Sequence, residues 1–137
     1  MTRYTLQLEE DYDFILIGIA CHAKNYRLCW VLNNAFNLKL EKEEQDLELV
    51  KGEETLRYPV YQFTNEDTHT SYTLISNRSK NNYFIPEQKQ ADFLLMIRNN
   101  FDEDIPEMIH KLRNIDMVLM AFEIDVERLK SRQNLLF

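Results

Sequence analysis

Glycine is scarce in this sequence, which contains only Gly18 and Gly52. Loops that cradle phosphate need several glycines, because their backbone N–H groups must approach the anion closely. Two glycines cannot supply a dinucleotide-binding fingerprint or a P-loop, and the G-x-S-x-G elbow of the serine hydrolases is also missing from the sequence. The sequence therefore predicts no nucleotide cofactor, and it indicates no cofactor of another kind.

Basic residues and long apolar runs are also in short supply. Lys and Arg total 16 against 23 Asp and Glu, which gives a net charge of −7. This balance disfavours DNA and anionic membranes, both of which bind cationic surfaces. The longest apolar run, residues 14–21, falls well short of the roughly 20 residues that a membrane-spanning helix needs. Because residues 1–6 also lack the layout of a signal peptide, we expect a cytoplasmic protein.

Few residues are suited to catalysis or metal binding. Cys21 and Cys29 fit no zinc-binding spacing, so no metal is predicted. We expect His69 to lie in a polar loop and His110 on the polar side of a helix. Cys21 precedes His22 near a predicted helix start, where a thiol can become reactive. Adjacent residues of a strand point to opposite faces, however, which favours a buried structural cysteine.

Apolar residues follow the periods of strands and helices along the chain. Helical spacing predicts helices over residues 23–37 and 105–115. Residues 91–98 and 117–124 are apolar on both faces, which predicts central strands of a covered sheet. Alternation, short apolar runs and β-branched or aromatic residues predict further strands, and those from 46 to 76 would form an antiparallel meander with a turn at 51–54. These further strands cover residues 4–8, 14–20, 46–50, 58–63 and 71–76. Residues 14–20 form an all-apolar run whose period fits a strand or a helix, and the β-branched isoleucines in it favour a strand.

These elements predict a single α+β domain over residues 1–137. Its sheet would be mainly antiparallel, with about five to seven strands packed against two main helices. In the first helix, Tyr26 and Trp30 are predicted to belong to the wide apolar stripe that also holds Leu28 and Leu32. The apolar C-terminal triplet, residues 135–137, is expected to dock on the domain because exposing it to water is costly.

One segment resembles the signature of a known family. Residues 85–93 read Ile-Pro-Glu-Gln-Lys-Gln-Ala-Asp-Phe and are similar to the motif of the bacterial IPExxxVDY proteins. The chain matches that motif at Ile85, Pro86, Glu87 and Asp92, and it has Ala91 and Phe93 where the motif has Val and Tyr. Other stretches similar to this family are residues 16–19, 25–28, 32–33, 129–131 and 134–137.

The resemblance implies a cytoplasmic protein and no particular chemistry, because the family has no assigned activity, cofactor or catalytic residue. From the residues themselves, Pro86 fixes its own φ and biases Ile85 to extended geometry. Glu87 and Asp92 are then expected to accept hydrogen bonds from backbone N–H groups or to pair with Arg or Lys. A ligand-binding role for this signature is the alternative interpretation.

The preferred functional hypothesis is a non-catalytic protein-interaction or adaptor module, or a homo-oligomer. The chain is rich in aromatic residues and shows no catalytic constellation. Its charge is also segregated, since residues 41–54 are acidic and residues 127–132 are mostly basic. Opposed patches can steer association between molecules. Alternatively, the two segments pair with each other inside one molecule.

Two other functions remain open. The first is a small-molecule-binding domain or minor enzyme with a pocket near His22, Arg27 and Glu87. The second is single-stranded RNA binding through residues 78–84, which bring basic and aromatic residues together in a combination suited to stacking on unpaired bases. The overall negative charge disfavours the RNA hypothesis.

Overall fold

The computed structural model describes residues 12–100 and 103–137, in which two α-helices pack on a six-stranded sheet. The helices are α1 (Asn25–Phe36) and α2 (Ile105–Arg113). The predicted strand at 4–8 and the acidic residues 9–11 lie outside the described residues. The strands are β1 (Ile15–Cys21), β2 (Glu41–Lys42), β3 (Leu47–Lys51), β4 (Glu54–Tyr58), β5 (Val60–Thr64), β6 (Ser71–Ser76), β7 (Arg78–Ser79), β8 (Asn82–Tyr83), β9 (Phe93–Arg98) and β10 (Val118–Ile124).

The main sheet has the strand order β10-β1-β9-β6-β5-β2, and all its neighbouring strands run antiparallel. Strand β9 is internal, as its apolar residues on both faces predict. Phe93, Leu95 and Ile97 enter the core on one face of the sheet, whereas Leu94 and Met96 enter the core on the other. The predicted α+β class and the mainly antiparallel sheet are confirmed.

The helices cover one face of the sheet, which we call the helix side. Leu28 and Leu32 of α1 and Met108 and Leu112 of α2 are buried against the inward residues of β1, β6 and β9. Helix α1 ends at Asn37, which adopts the left-handed conformation that often terminates helices. The α2 N-terminus is capped, because the Asp104 side chain accepts a hydrogen bond from the Glu107 N–H.

Short elements cover the opposite face, which we call the hairpin side. They are the β3–β4 hairpin, the β7–β8 hairpin, the 3-10 turn Pro86–Gln88 and the C-terminal segment from Val126 onward. The C-terminal triplet docks only in part. Leu135 is fully buried in this core, whereas Phe137 keeps 54% of its surface exposed.

Strand β10 differs from its prediction as a central strand. In the described part of the chain it lies at the edge of the main sheet, with β1 as its neighbour. The register shifts between Ala20 and Cys21 of β1, so Leu119 has no residue opposite it, and its side chain is 60% exposed. An apolar strand therefore lies at a sheet edge here. The prediction was wrong because sequence alone does not show how many neighbours a strand has.

The predicted meander is also corrected. Strands β3 and β4 form a separate two-stranded sheet, while β5 and β6 belong to the main sheet. The predicted strand over 58–63 is divided at Pro59, whose missing N–H group cannot contribute to a ladder. Tyr58 ends β4 and Val60 begins β5, so the chain passes from one sheet to the other at this proline.

Gly18 allows a close contact between β1 and β10. It lies opposite Phe122, whose ring occupies the space that a side chain would need. A Cβ atom at this position would lie 2.7 Å from Phe122 Cζ. The glycine therefore fixes how the half-buried Phe122 ring packs on the hairpin side.

Candidate functional site

The signature segment is held in place by a buried residue outside it, Asn77. The Asn77 side-chain amide donates hydrogen bonds to the carbonyl oxygens of Gln88 (3.0 Å) and Ala91 (2.8 Å). Its Oδ1 atom accepts a hydrogen bond from the Ile85 N–H at 2.8 Å. Asn77 is fully buried, and its own backbone N–H donates to the Asp92 carbonyl. Asn77 was not among the candidate residues that the sequence suggested, so this role was missed.

Pro86 and its neighbours adopt the geometry expected of an entry into a strand. Ile85 is extended, with φ −119° and ψ 94°, and Pro86 begins the 3-10 turn Pro86–Gln88. Ile85 and Phe93 are buried on opposite sides of the sheet, Ile85 on the hairpin side and Phe93 on the helix side. The signature residues thus connect the two cores.

Glu87 fastens the C-terminal segment to the signature segment. Its carboxylate accepts hydrogen bonds from the Ser131 N–H (2.9 Å) and from the Ser131 hydroxyl (2.8 Å). Partial burial raises the pKa of Glu87, but the Ser131 hydrogen bonds outweigh burial and lower it below its ordinary value. This contact is the one that the structural interpretation of Glu87 predicts.

Asp92 fastens the end of β1 in a similar way. One carboxylate oxygen accepts from the Cys21 N–H at 2.9 Å, and the other pairs with Arg78 Nη1 at 3.1 Å. The Asp92 N–H donates to the Ile19 carbonyl. Both carboxylates of the signature therefore satisfy neighbouring backbone and side-chain donors.

The three residues of the predicted pocket are distributed over different parts of the surface. His22 lines a shallow concavity of about 280 Å³ together with Cys21, Arg78, Asp92 and Phe93. Arg27 is exposed on α1, and the lining of this concavity includes neither Arg27 nor Glu87. Glu87 is instead engaged by Ser131 of the C-terminal segment.

The thiols have the environment of structural cysteines. Burial is the main cause that raises the pKa of the Cys21 thiol, and the nearby Asp92 carboxylate raises it further. Burial also raises the pKa of Cys29, whose Sγ–H donates to the Leu40 carbonyl at 3.5 Å. A raised thiol pKa disfavours the thiolate that nucleophilic catalysis requires.

Histidines and carboxylates do not converge on a metal-binding geometry in residues 12–100 and 103–137. Within these ranges, no group of three or more His, Cys, Asp or Glu side chains is placed to hold a metal ion. His69 and His110 are both exposed, His69 in the loop after β5 and His110 on α2. This exposure is the one predicted for the two histidines.

The outer face of α1 presents two aromatic side chains to solvent. Tyr26 is 63% exposed and Trp30 is 66% exposed, one helical turn apart. Their assignment to the buried stripe was wrong, because Leu28, Cys29 and Leu32 already form the buried face. We call Lys24, Tyr26, Arg27 and Trp30 the α1 face. The signal that could have revealed this exposed face is the width of the apolar stripe, which exceeds the part of the helix surface that packs on the sheet.

Charge surrounding the α1 face differs from that of the whole chain. Residues 14–40 contain no Asp or Glu but include Lys24, Arg27 and Lys39. Lys24 and Arg27 are exposed, Lys24 at the N-cap of α1 and Arg27 three residues before Trp30. A chain with net charge −7 thus carries a locally cationic, aromatic helix surface.

The acidic segment and the basic tail form separate ion pairs. Glu48 pairs with Arg57 and Glu54 with Lys80, whereas Arg128 of the tail pairs with Asp125. In the part of the chain that the structure describes, no ion pair joins the tail to residues 41–54. The pairing of these two segments within one molecule therefore has no support among these contacts.

The loop over residues 78–84 uses most of its basic and aromatic groups internally. Phe84 is buried against Tyr58 in an edge-on arrangement, with ring centroids 5.2 Å apart. Arg78 pairs with Asp92 and lies over the Tyr83 ring, and Lys80 pairs with Glu54. Few of these side chains are left for stacking on RNA bases.

A scan against protein-family models found no match, and a search of curated proteins found no significant match. Among the described residues, no helix is long and apolar enough to cross a membrane.

Proposed function

We propose that this protein is a non-catalytic protein-interaction module that binds a protein partner through the α1 face. The observation that carries this proposal is the exposure of Tyr26 and Trp30 on a helix whose opposite face is packed. Tyr, Trp and Arg are the residues most enriched among those that dominate binding energy at protein interfaces. Three of the four residues of the α1 face belong to these types.

Charge indicates the chemistry of the partner. Lys24 and Arg27 flank the exposed rings, and the acid-free stretch around them favours a partner whose contact surface carries Asp or Glu. The acidic residues 41–54 of a second copy of this chain form one such surface. A homo-oligomer is therefore one form of the proposed interaction. Attraction of this kind weakens as salt concentration rises.

Variants of the α1 face test this proposal. We expect the double variant Tyr26→Ser/Trp30→Ser to lose a partner that the wild type retains, or to lose self-association measured by light scattering. The control is Leu119→Ser, which removes a similarly exposed apolar side chain from β10. Because all three residues are exposed, each variant should keep the thermal stability of the wild type to within a few degrees.

One outcome would contradict the proposal directly. It is a wild-type protein that stays monomeric at low and high salt and captures the same proteins as the double variant. Loss of binding in Leu119→Ser alone would place the interface on β10 instead of α1.

We further propose that the chain is a cytoplasmic member of the IPExxxVDY family. The support is that Ile85, Pro86, Glu87 and Asp92, which match the family motif, each have a distinct role in joining β9, β1 and the C-terminal segment. At position 93 the chain has Phe where the family motif has Tyr. The Phe93 side chain is buried, and both residue types place an aromatic ring there. The thermal stability of the variant Phe93→Tyr tests this relationship.

A further inference from the structure

A cavity of about 370 Å³ lies on the hairpin side, away from the α1 face. Its walls come from the β3–β4 hairpin, the β7–β8 hairpin and the turn that begins at Pro86. Leu49, Leu56, Tyr58 and Tyr83 give it an apolar lining. Its volume falls within the range of sites that bind small molecules.

Tyr58 forms part of the floor of this cavity. Its side chain is fully buried, and its hydroxyl has no hydrogen-bond partner in the described structure. Because the hydroxyl has no accessible surface, it lies below the floor and out of reach of a ligand in the cavity. The ligand contacts are therefore made by the other lining residues.

Two lysines give the cavity a positive charge. Lys51 and Lys89 line it, and no Asp or Glu is among its lining residues. The Lys51 ammonium group donates a hydrogen bond of 2.8 Å to the Oδ1 atom of Asn82, another lining residue. The cavity thus combines an apolar lining with two ammonium groups.

We propose that this cavity binds a small amphipathic carboxylate. The apolar part of the ligand packs against Leu49, Val50 and Tyr83, which line the cavity and keep accessible surface, and its carboxylate pairs with Lys51 and Lys89. This is a small-molecule site at a different location from the pocket predicted near His22, Arg27 and Glu87.

Octanoate is a suitable probe, with octan-1-ol and octylamine as analogues that lack the negative charge. Titration of the ¹⁵N-labelled full chain should shift the amide signals of Lys51, Tyr58 and Tyr83 with octanoate, more weakly with octan-1-ol and not with octylamine. The double variant Lys51→Gln/Lys89→Gln should weaken octanoate binding about tenfold, because charged hydrogen bonds are lost. Lys24→Gln, a lysine change on α1, should leave binding unchanged.

Tyr58→Phe is a control for the buried floor of the cavity. We expect this variant to bind octanoate as the wild type does and to have equal or higher thermal stability, since the ring is kept and an unsatisfied group is removed. Octylamine binding as tightly as octanoate, signal shifts confined to other regions, or full octanoate affinity in Lys51→Gln/Lys89→Gln would overturn the proposal. The Tyr26→Ser/Trp30→Ser variant should bind octanoate normally, which separates this inference from the proposed interaction at α1.

Discussion

Replacing Asn77 by alanine should be among the most damaging single changes to this fold. The change removes three side-chain hydrogen bonds at a fully buried position. The Gln88 carbonyl keeps the hydrogen bond from the Ala91 N–H. The Ile85 N–H and the Ala91 carbonyl lose the partners that Asn77 supplied, and each unsatisfied buried group costs about 1–3 kcal/mol.

These contributions predict a loss of roughly 3–7 kcal/mol in the free energy of unfolding for Asn77→Ala. Domains of this size have a total stability of about 5–15 kcal/mol, so the variant should be partly unfolded or unfold at much lower urea. Urea titration followed by far-ultraviolet circular dichroism measures the change. The control is Asn34→Ala on the exposed side of α1, where the amide donates only to the Trp30 carbonyl.

Asn77→Asp sharpens this test through its pH dependence. A carboxylate keeps an acceptor for the Ile85 N–H but places a negative oxygen against the carbonyls of Gln88 and Ala91. The folded-state pKa of the new carboxyl should therefore be raised, so stability is greatest at low pH and falls as pH rises through that pKa. A stability of Asn77→Ala within about 1 kcal/mol of the wild type would refute the role assigned to Asn77.

Three other changes follow from the same contacts. Glu87→Gln should remove part of the acid sensitivity of the fold. Hydrogen bonds from Ser131 lower the pKa of Glu87 below 4.5. The stability that the Glu87 carboxylate contributes is therefore present above that pH and is lost as pH falls through the lowered pKa. The change in unfolding free energy should stay below about 1 kcal/mol at this exposed position. Urea midpoints measured across acidic pH test the prediction, and a variant with the pH dependence of the wild type would contradict it. Phe93→Tyr should lower the free energy of unfolding by less than about 1.5 kcal/mol. Phe93 borders the concavity beside His22, where the added hydroxyl can meet water. A larger loss of stability in thermal unfolding would count against the family relationship. Gly18→Ala should cost about 1–3 kcal/mol, because its methyl group would meet the Phe122 ring, and the double change with Phe122→Leu should recover much of that loss if the contact is the cause.

Periodicity in the sequence predicted the elements that depend on local patterns. Both helices were located because their apolar residues repeat with a period of 3.6 residues, and strand β9 was located because a short run that is apolar on both faces is typical of an internal strand. Strand β4 was missed, because Leu56, Tyr58 and Val60 continue one alternating pattern across Pro59. The change of sheet at this proline depends on tertiary packing, which alternation does not encode.

The residues of the candidate sites were harder to predict for a physical reason. Asn77 stands in a polar stretch like any turn residue, and its importance comes from partners that lie eight to 14 positions away. Glu87 and Asp92 were predicted as hydrogen-bond acceptors, but Ser131 lies 44 positions from Glu87 in the sequence. On α1, apolar residues surround most of the helix, so the pattern alone did not distinguish the buried side from the side that carries Tyr26 and Trp30.

The protein-interaction proposal is tested most directly by the fluorescence of Trp30. Trp30 is the only tryptophan of the chain, so its emission reports on the α1 face without labelling. In the protein alone we predict solvent-like emission and strong quenching by iodide, since the side chain is 66% exposed and lies near Lys24 and Arg27. In a complex with its partner or in a self-associated form, the emission should shift to shorter wavelength and iodide quenching should fall. A complex in which Trp30 remains as accessible to iodide as in the free protein would contradict the proposal.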